Sequence, residues 1–481
     1  MNLSRKNQVF IAAIVYIIIV FSFIAFSFDR LQQDDYYHIK YSQMMREEGI
    51  QKRMPSMEYT IHNENFYDAH FLFHVLIIPF TFGNLMVGAK LAVIFFIFLL
   101  AAVFYKFLEY NKIRHPEFWT LALALGSSFF ATRLIQVRPI SLSVIFWIAG
   151  LHFIFTKKYK WLAALSFVYV YTYNTFPFLI LIAFVYTACF FAYYKKIDCN
   201  PLAYTIIGAA AGLVLNPYFP SNISAIITQY SVTLFRGSVG INLEFSPIST
   251  WSALTNLALV FLLLFLVALA AFTKKEKFRF KTVFLFIMAS ISLVLFFKVQ
   301  RAIDQFVPFA VLFIAFAYKD LKLKLSKNVK AIFLIAVIGF SIYCAYSTVD
   351  LLKVQGFVDQ VNYEGCAGWL AENTPRGSRI FILDYGTYPH VYFYNPYGRY
   401  TLGLDPIFMK QYDENLFYLY EDAVYMRKDP YQIIKGVFKS DYIFINKIPK
   451  FTNFHIYLAG NPGNFTQKYD DTACEVYEVL G

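Results

Sequence analysis

The sequence predicts an all-α polytopic membrane bundle of about 11 transmembrane helices, followed by a C-terminal extracytoplasmic α/β domain. Three observations predict it. The 481 residues are 58% hydrophobic and 20% aromatic but only 15% charged, where a soluble domain carries about 25% charged residues. Long apolar stretches recur between residues 8 and 350 and then stop. Lys and Arg collect in every second connection between those stretches. This composition excludes a disordered chain, a disulfide scaffold and an ordinary soluble enzyme. Five cysteines, Cys189, Cys199, Cys344, Cys366 and Cys474, are too few and too scattered for a disulfide framework or a cysteine-based zinc site.

A helix rises about 1.5 Å per residue, so about 20 apolar residues cross the hydrocarbon of a bilayer. Eleven stretches are candidates, several of them short: 8–28, 86–105, 117–133, 140–156, 160–174, 176–194, 202–216, 252–273, 281–298, 303–319 and 329–350. The first lacks the small-residue cleavage site of a signal peptide and reads as a retained anchor. Basic clusters precede the first stretch (Arg5, Lys6) and follow the second, fourth, sixth, eighth and tenth; examples are Lys157-Lys158 and Lys274-Lys275. The positive-inside rule then puts the N-terminus in the cytoplasm and the C-terminus outside. The net charge of +12 is thus mostly topology, and nucleic acid is not an expected partner. A Lys-rich, short-looped build points to a bacterial inner membrane.

Three outer pieces carry the interest: 29–85, 217–251 and everything after 350. Residues 71–82 (FLFHVLIIPFTF) are apolar but short and contain Pro79, which suits an interfacial segment. The tail after 350 gains Gly, Pro, Asn and charge. Residues 379–384, 441–446 and 473–479 read as strands, and 363–372 and 413–435 have helical spacing. The organisation is therefore a bundle over 1–350, including the outer loop 29–85, and an α/β domain over 351–481. Cys366 and Cys474 both fall in this outer domain, where oxidation to a disulfide is possible.

The acids are placed unevenly. Residues 29–74 hold eight of them together with His38, His62, His70 and His74. The spans are acid-poor, with no midplane ionisable groups and no repeat, which argues against a transporter. Asp34-Asp35-Tyr36-Tyr37-His38 follows the first span. Adjacent carboxylates near apolar surface repel and lose solvation, so one is pushed toward the range of a general base or a metal ligand; the alternative is a solvated loop start. In Tyr67-Asp68-Ala69-His70, with His74 one turn on, two histidines share a helix face as zinc ligands do. Phe71 stands where HExxH needs its acid, so a structural role, or a sugar contact by Asp68, is favoured. Arg133 and Arg138-Pro139 form the second outer turn. Lys298 and Arg301 precede Asp304 at the end of the ninth and start of the tenth stretch. Outer cations of this kind suit a lipid phosphate, which Arg can grip with two hydrogen bonds; the alternative is snorkelling to headgroups. Glu244, in Ile241-Asn242-Leu243-Glu244, is a lone acid among apolar residues and needs a partner.

Taken together, the acidic pair after the first span, the long first outer loop ending in an interfacial helix, Arg138-Pro139, Asn216-Pro217-Tyr218, Arg301 and the C-terminal domain with Gly403-Leu404-Asp405-Pro406 resemble the GT-C superfamily of integral-membrane glycosyltransferases. The resemblance spans most of the chain but is architectural; the acidic pair is its only signature. The WWD motif of oligosaccharyltransferase catalytic subunits is missing, and residues 125–142 contain no acid. The pattern is closer to protein O-mannosyltransferases and lipid A aminoarabinose transferases.

The resemblance implies transfer of a hexose or pentose from a polyprenyl-phosphate donor to a hydroxyl or amine of a lipid, glycan or protein acceptor, on the outer face and with inversion. Asp34 or Asp35 would be the base. Arg138 and Arg301, with Arg133 and Lys298, would hold the donor phosphate. Asp68, Glu244 and His70 would contact the sugar, and Tyr36 and Tyr37 would line its site. Asp35 and Glu244 would be the ligands of a divalent cation, Mg or Mn, if one is used. Other readings are an outer-face polysaccharide polymerase or ligase, a lipid or sugar flippase, and a catalytically silent scaffold.

Overall fold

The computed structural model describes residues 4–235, 246–274, 276–323, 327–354 and 363–481. Its bundle runs α1 (Arg5–Phe26), α2 (Gln33–Glu48), α3 (Phe71–Ile77), α4 (Leu85–Tyr110), α5 (Pro116–Leu125), α6 (Ser128–Leu134), α7 (Ile140–Phe155), α8 (Tyr159–Thr172), α9 (Pro177–Tyr194), α10 (Asn200–Val214), α11 (Ser221–Phe235), α12 (Thr250–Asn256), α13 (Ala258–Lys274), α14 (Phe280–Lys298), α15 (Ile303–Asp320) and α16 (Lys327–Val354). The chain is an integral, multi-pass membrane protein. Six described helices are long and apolar enough to cross a membrane, or seven if α12 and α13 count as one bent span.

Each of the eleven predicted stretches folds as helix, but not each as one full span. The stretch 117–133 breaks into α5 and α6 at Gly126-Ser127. There the Ser127 hydroxyl accepts the Phe130 N–H at 3.2 Å and starts a new helix. The stretch 252–273 bends by 85° between α12 and α13. Asn256, at this bend, donates to the Ser252 carbonyl and accepts from the Ser128 hydroxyl at 2.7 Å. Helix α8 has 14 residues and α10 has 15, short of a full crossing. These two pack with backbones almost touching. A Cβ at Gly208 would overlap the Ala163 carbonyl, and one at Gly212 would lie 2.9 Å from the Phe167 carbonyl oxygen. Small residues spaced four apart allow this approach. Residues 71–81 form α3 and a tight turn containing Pro79.

The C-terminal domain contains α17 (Glu364–Asn373), β1 (Arg379–Ile382), α18 (Tyr388–Tyr394), β2 (Arg399–Tyr400), α19 (Ile407–Tyr412), α20 (Glu414–Val424), β3 (Tyr442–Asn446), α21 (Thr452–Ala459), β4 (Phe465–Asp470) and β5 (Cys474–Val479). The sheet order is β2-β1-β3-β5-β4. Strands β2, β1 and β3 are parallel; β5 runs antiparallel to β3 and β4. Central β1 and β3 are buried apolar runs, as strands covered on both faces require. The predicted helix 413–435 is interrupted after α20, where Met426 takes a left-handed backbone (φ 55°) and the Arg427 N–H closes onto the Asp422 carbonyl at 2.8 Å. Cys366 on α17 is bonded to Cys474 on β5, with the Cα atoms 6.3 Å apart.

Two cores organise the chain. The bundle core includes Phe21, Phe73, Phe104, Trp147 and Phe306. The second joins the sheet to the segment 29–85: Tyr37, Tyr41, Met44, Met57 and Phe66 pack with Ile382, Tyr388, Phe444 and Val476. Helix α2 belongs to both. Its Tyr36 and Ile39, three apart on one face, enter the bundle core; Tyr37, Tyr41 and Met44 enter the other. Polar clasps reinforce the junction. Arg379 grips Glu58 with Nε and a terminal nitrogen at 2.9–3.1 Å. The Gln33 amide donates to the Gly386 carbonyl at 2.9 Å, and the Ile61 N–H to the Phe408 carbonyl at 3.2 Å.

Candidate active site

Helix α2 starts immediately beyond α1, so the acidic pair lies in its first turn, where a carboxylate complements the helix dipole. The two acids differ sharply. Asp35 is buried. One of its oxygens accepts the Val137 N–H at 2.7 Å and the other the Gln32 N–H at 3.3 Å. Burial pushes its carboxyl up to about 7, opposed by the Val137 hydrogen bond and the positive charge of Arg138. Asp34 keeps 37% of its side chain exposed and pairs with the Arg138 guanidinium. Asp34 is thus the accessible acid. Asp35 ties α2 to the turn that presents Arg138.

Asp405 adds a third carboxylate. Burial, and then the negative charge of Asp34, hold it above the usual range. It belongs to the Gly403-Leu404-Asp405-Pro406 phrase, so the C-terminal domain brings a third negative charge within electrostatic reach of Asp34. Tyr36 and Tyr37 do not line an open surface. Tyr36 packs against His390 and Phe393, with centroids 4.4 and 5.2 Å away. Tyr37 packs against Tyr41, Tyr388 and Tyr392.

The cations separate into three kinds. Arg133 is buried, with Nε and a terminal nitrogen each 3.1 Å from the two oxygens of Asp304. A third nitrogen donates to Gln136 at 3.0 Å, and Gln136 donates to Gln32 at 3.1 Å. This chain leads back to the start of α2. Arg138 and Arg301 are half-buried, and Arg301 donates to the Tyr173 hydroxyl. Lys298 is exposed at the end of α14.

The second motif folds back onto the first. Asp68 accepts the His70 N–H at 2.8 Å, and its other oxygen lies 2.7 Å from His74 Nδ1. His74 Nε2 lies 2.8 Å from His38 Nδ1. The chain is consistent when His74 donates to Asp68 and accepts from His38. Burial, then the neighbouring His74, holds His38 and His70 well below the usual imidazole range. The ring of His70 is 5.1 Å from that of Tyr173, and the positive charges of Arg301 and Arg138 act on it. The site therefore brings together Asp34, Asp35, Arg138, His70, Asp68 and Arg301. Glu244 lies outside the described residues.

Sequence reasoning missed several members. Asp304 is a single turn from Arg301, and Gln136 sits between the two arginines it helps to arrange. Both carried a spacing signal. The joining of Asp405 to Asp34 had none, because 371 positions separate them.

This architecture fits the GT-C pattern of fold. Three structures of the Archaeoglobus fulgidus oligosaccharyltransferase are similar to the chain, each at 12% identity. Its apo form matches with a TM-score of 0.63 over 91% of this chain and 69% of that one. The form tethered by a disulfide to an acceptor peptide containing the NVT sequon gives 0.61 over 98% and 74%. The complex with zinc and sulfate gives 0.59 over 97% and 73%. No family model matches the sequence, and no curated protein matches it.

Proposed function

We propose that the chain is a glycosyltransferase that moves a sugar from a polyprenyl-phosphate donor to an acceptor hydroxyl or amine on the outer face of a bacterial inner membrane. The observation that carries this reading is the Asp34–Arg138 pair. It places an accessible carboxylate beside a guanidinium, at the seam between a membrane bundle and a docked domain. A lipid-borne donor reaches such a seam from the bilayer, and a lipid, glycan or protein acceptor from the other side.

Asp34 takes the proton of the acceptor as the acceptor oxygen or nitrogen bonds to the anomeric carbon. The bond from that carbon to the phosphate oxygen breaks, and the electron pair leaves with the polyprenyl phosphate. Arg138 and Arg301 stabilise the charge that develops there. Attack opposite the phosphate inverts the anomeric centre. Asp35 is a positioning residue for α2. Both its oxygens accept backbone N–H groups in a buried setting, which is the environment of a helix cap rather than of a cation ligand. Donors carrying a preassembled glycan form the second reading, favoured by the fold shared with an oligosaccharyltransferase.

The test is comparative mass spectrometry of envelope lipids, glycans and glycoproteins from wild type, a deletion strain and an Asp34→Asn strain at matched expression. Loss of one defined sugar in the deletion, and a fall in its transfer by roughly 10²–10⁴-fold in the variant, is expected for a general base. Wild-type transfer by Asp34→Asn removes it from that role. A product several sugars longer favours the second reading.

A further inference from the structure

His38, His70 and His74 differ in chemistry from the acid pair beside them. One ring nitrogen from each lies within 4.8 Å of the others. Among the described residues, the other grouping of this kind, Cys366, Asp471 and Cys474, is closed by its disulfide. We propose that the three histidines bind a zinc ion.

The donor set selects the metal. Three neutral imidazole nitrogens suit zinc, whereas magnesium, manganese and calcium prefer oxygen ligands. The separations are close to those required. Zinc–nitrogen bonds of about 2.0–2.1 Å set tetrahedral ligand nitrogens roughly 3.3 Å apart. His38 Nδ1 and His74 Nε2, at 2.8 Å, need only a small opening. His70 is half-buried at the start of α3, where it caps the helix rather than lying within it. The other two are buried on α2 and α3, elements fixed by both cores.

Asp68 supplies the supporting shell. Its carboxylate fixes the Nδ1–H of His74 and so directs the Nε2 lone pair at the ion. This is the arrangement by which carboxylates orient metal-bound histidines. The same carboxylate holds the His70 backbone N–H. When zinc takes the Nδ1 lone pair of His38, the ring proton moves to Nε2.

Three protein ligands leave a fourth position open. Tyr173 lies beside His70, its ring tilted by 33°, and accepts a hydrogen bond from Arg301. That neighbourhood suits an anionic phosphate oxygen as fourth ligand. Only this last point rests on the glycosyl-transfer reading.

The experiment uses the full chain in detergent, stripped with a chelator and titrated with Co²⁺ as a visible stand-in for zinc. Elemental analysis of zinc-loaded protein runs in parallel. One cobalt per chain, with the strong visible absorption of a tetrahedral site, is expected. His70→Ala, whose ring is half-exposed, should lose that absorption, and Asp68→Asn should weaken binding 10–100-fold. Asp34→Asn should bind as wild type does. Inorganic phosphate should shift the cobalt bands. Absence of cobalt from the wild-type protein, wild-type binding by His70→Ala, or loss of binding in Asp34→Asn overturns the site. An unmoved spectrum with phosphate overturns the fourth-ligand assignment. Because these readouts need no sugar transfer, they fail or succeed separately from the proposed reaction.

Discussion

The core of the bundle and the core beneath the sheet bury different chemistry. The first is packed chiefly with Phe, Leu, Ile, Val and Ala. The second adds many Tyr and Met side chains, including Tyr37, Tyr41, Tyr388, Tyr392, Tyr400 and Tyr420. A buried phenol needs a partner for its hydroxyl. Tyr420 finds the Ile382 carbonyl at 3.1 Å, and Tyr400 the Asn395 carbonyl at 2.7 Å. In the bundle, the buried Arg133 is held by Asp304 and Gln136. The difference teaches where chemistry can be built. The bundle holds a buried charge with an opposite one, while the core beneath the sheet holds neutral phenols on backbone carbonyls.

The strongest way to break this comparison is on the bundle side. Asp304→Ala leaves a buried guanidinium unpaired and should destabilise the chain by about 3–5 kcal/mol. Replacing both Arg133 and Asp304 by apolar residues of similar volume should restore most of that loss. Thermal unfolding in detergent measures both. A mild single variant would show that the pair is solvated and the contrast false.

On the sheet side, Cys366→Ser/Cys474→Ser opens a cross-link between residues 108 positions apart. A loss of about 2–5 kcal/mol is expected for such a domain. It should appear as proteolysis confined to 363–481, while the bundle stays intact. Protection equal to that of wild type would mean that the second core holds without its staple.

The smallest effect concerns the seam. The Asp35 carboxyl lies near 7 in the folded chain against 3.8 as its ordinary value. The raised value favours the protonated form on folding, so its contribution to stability is complete below about pH 4. It is lost as pH rises toward and through 7. Asp35→Asn should flatten the stability profile across that window. An unchanged slope would assign the dependence to other groups.

Much of this was legible in the sequence, for physical reasons that can be named. Apolar length marks a membrane helix regardless of its neighbours, so every predicted stretch is helical. The breaks at Gly126-Ser127 and near Asn256 depend on local caps and polar contacts that a hydropathy reading averages away. Central strands β1 and β3 announced themselves as apolar runs. Strand β4 (Phe465–Asp470) did not, since most of its residues face outward. Within the site, the local pair Asp34-Asp35 and the one-turn spacing of His70 and His74 were visible. The capture of His38 by His74, and the pairing of Arg138 with Asp34, depend on how α2, α3 and the 136–139 turn meet. Periodicity carries no information about that meeting.

The contact of Gln33 with Gly386, and the influence of Asp34 on Asp405, have a consequence for the order of events during synthesis. A ribosome completes Asp34 early and must add 371 further residues before Asp405 exists. Until then the first acidic turn waits beside an unfinished wall. The full set of carboxylates is therefore a late product of biogenesis, and a nascent chain stopped before residue 405 carries the acid pair without the third.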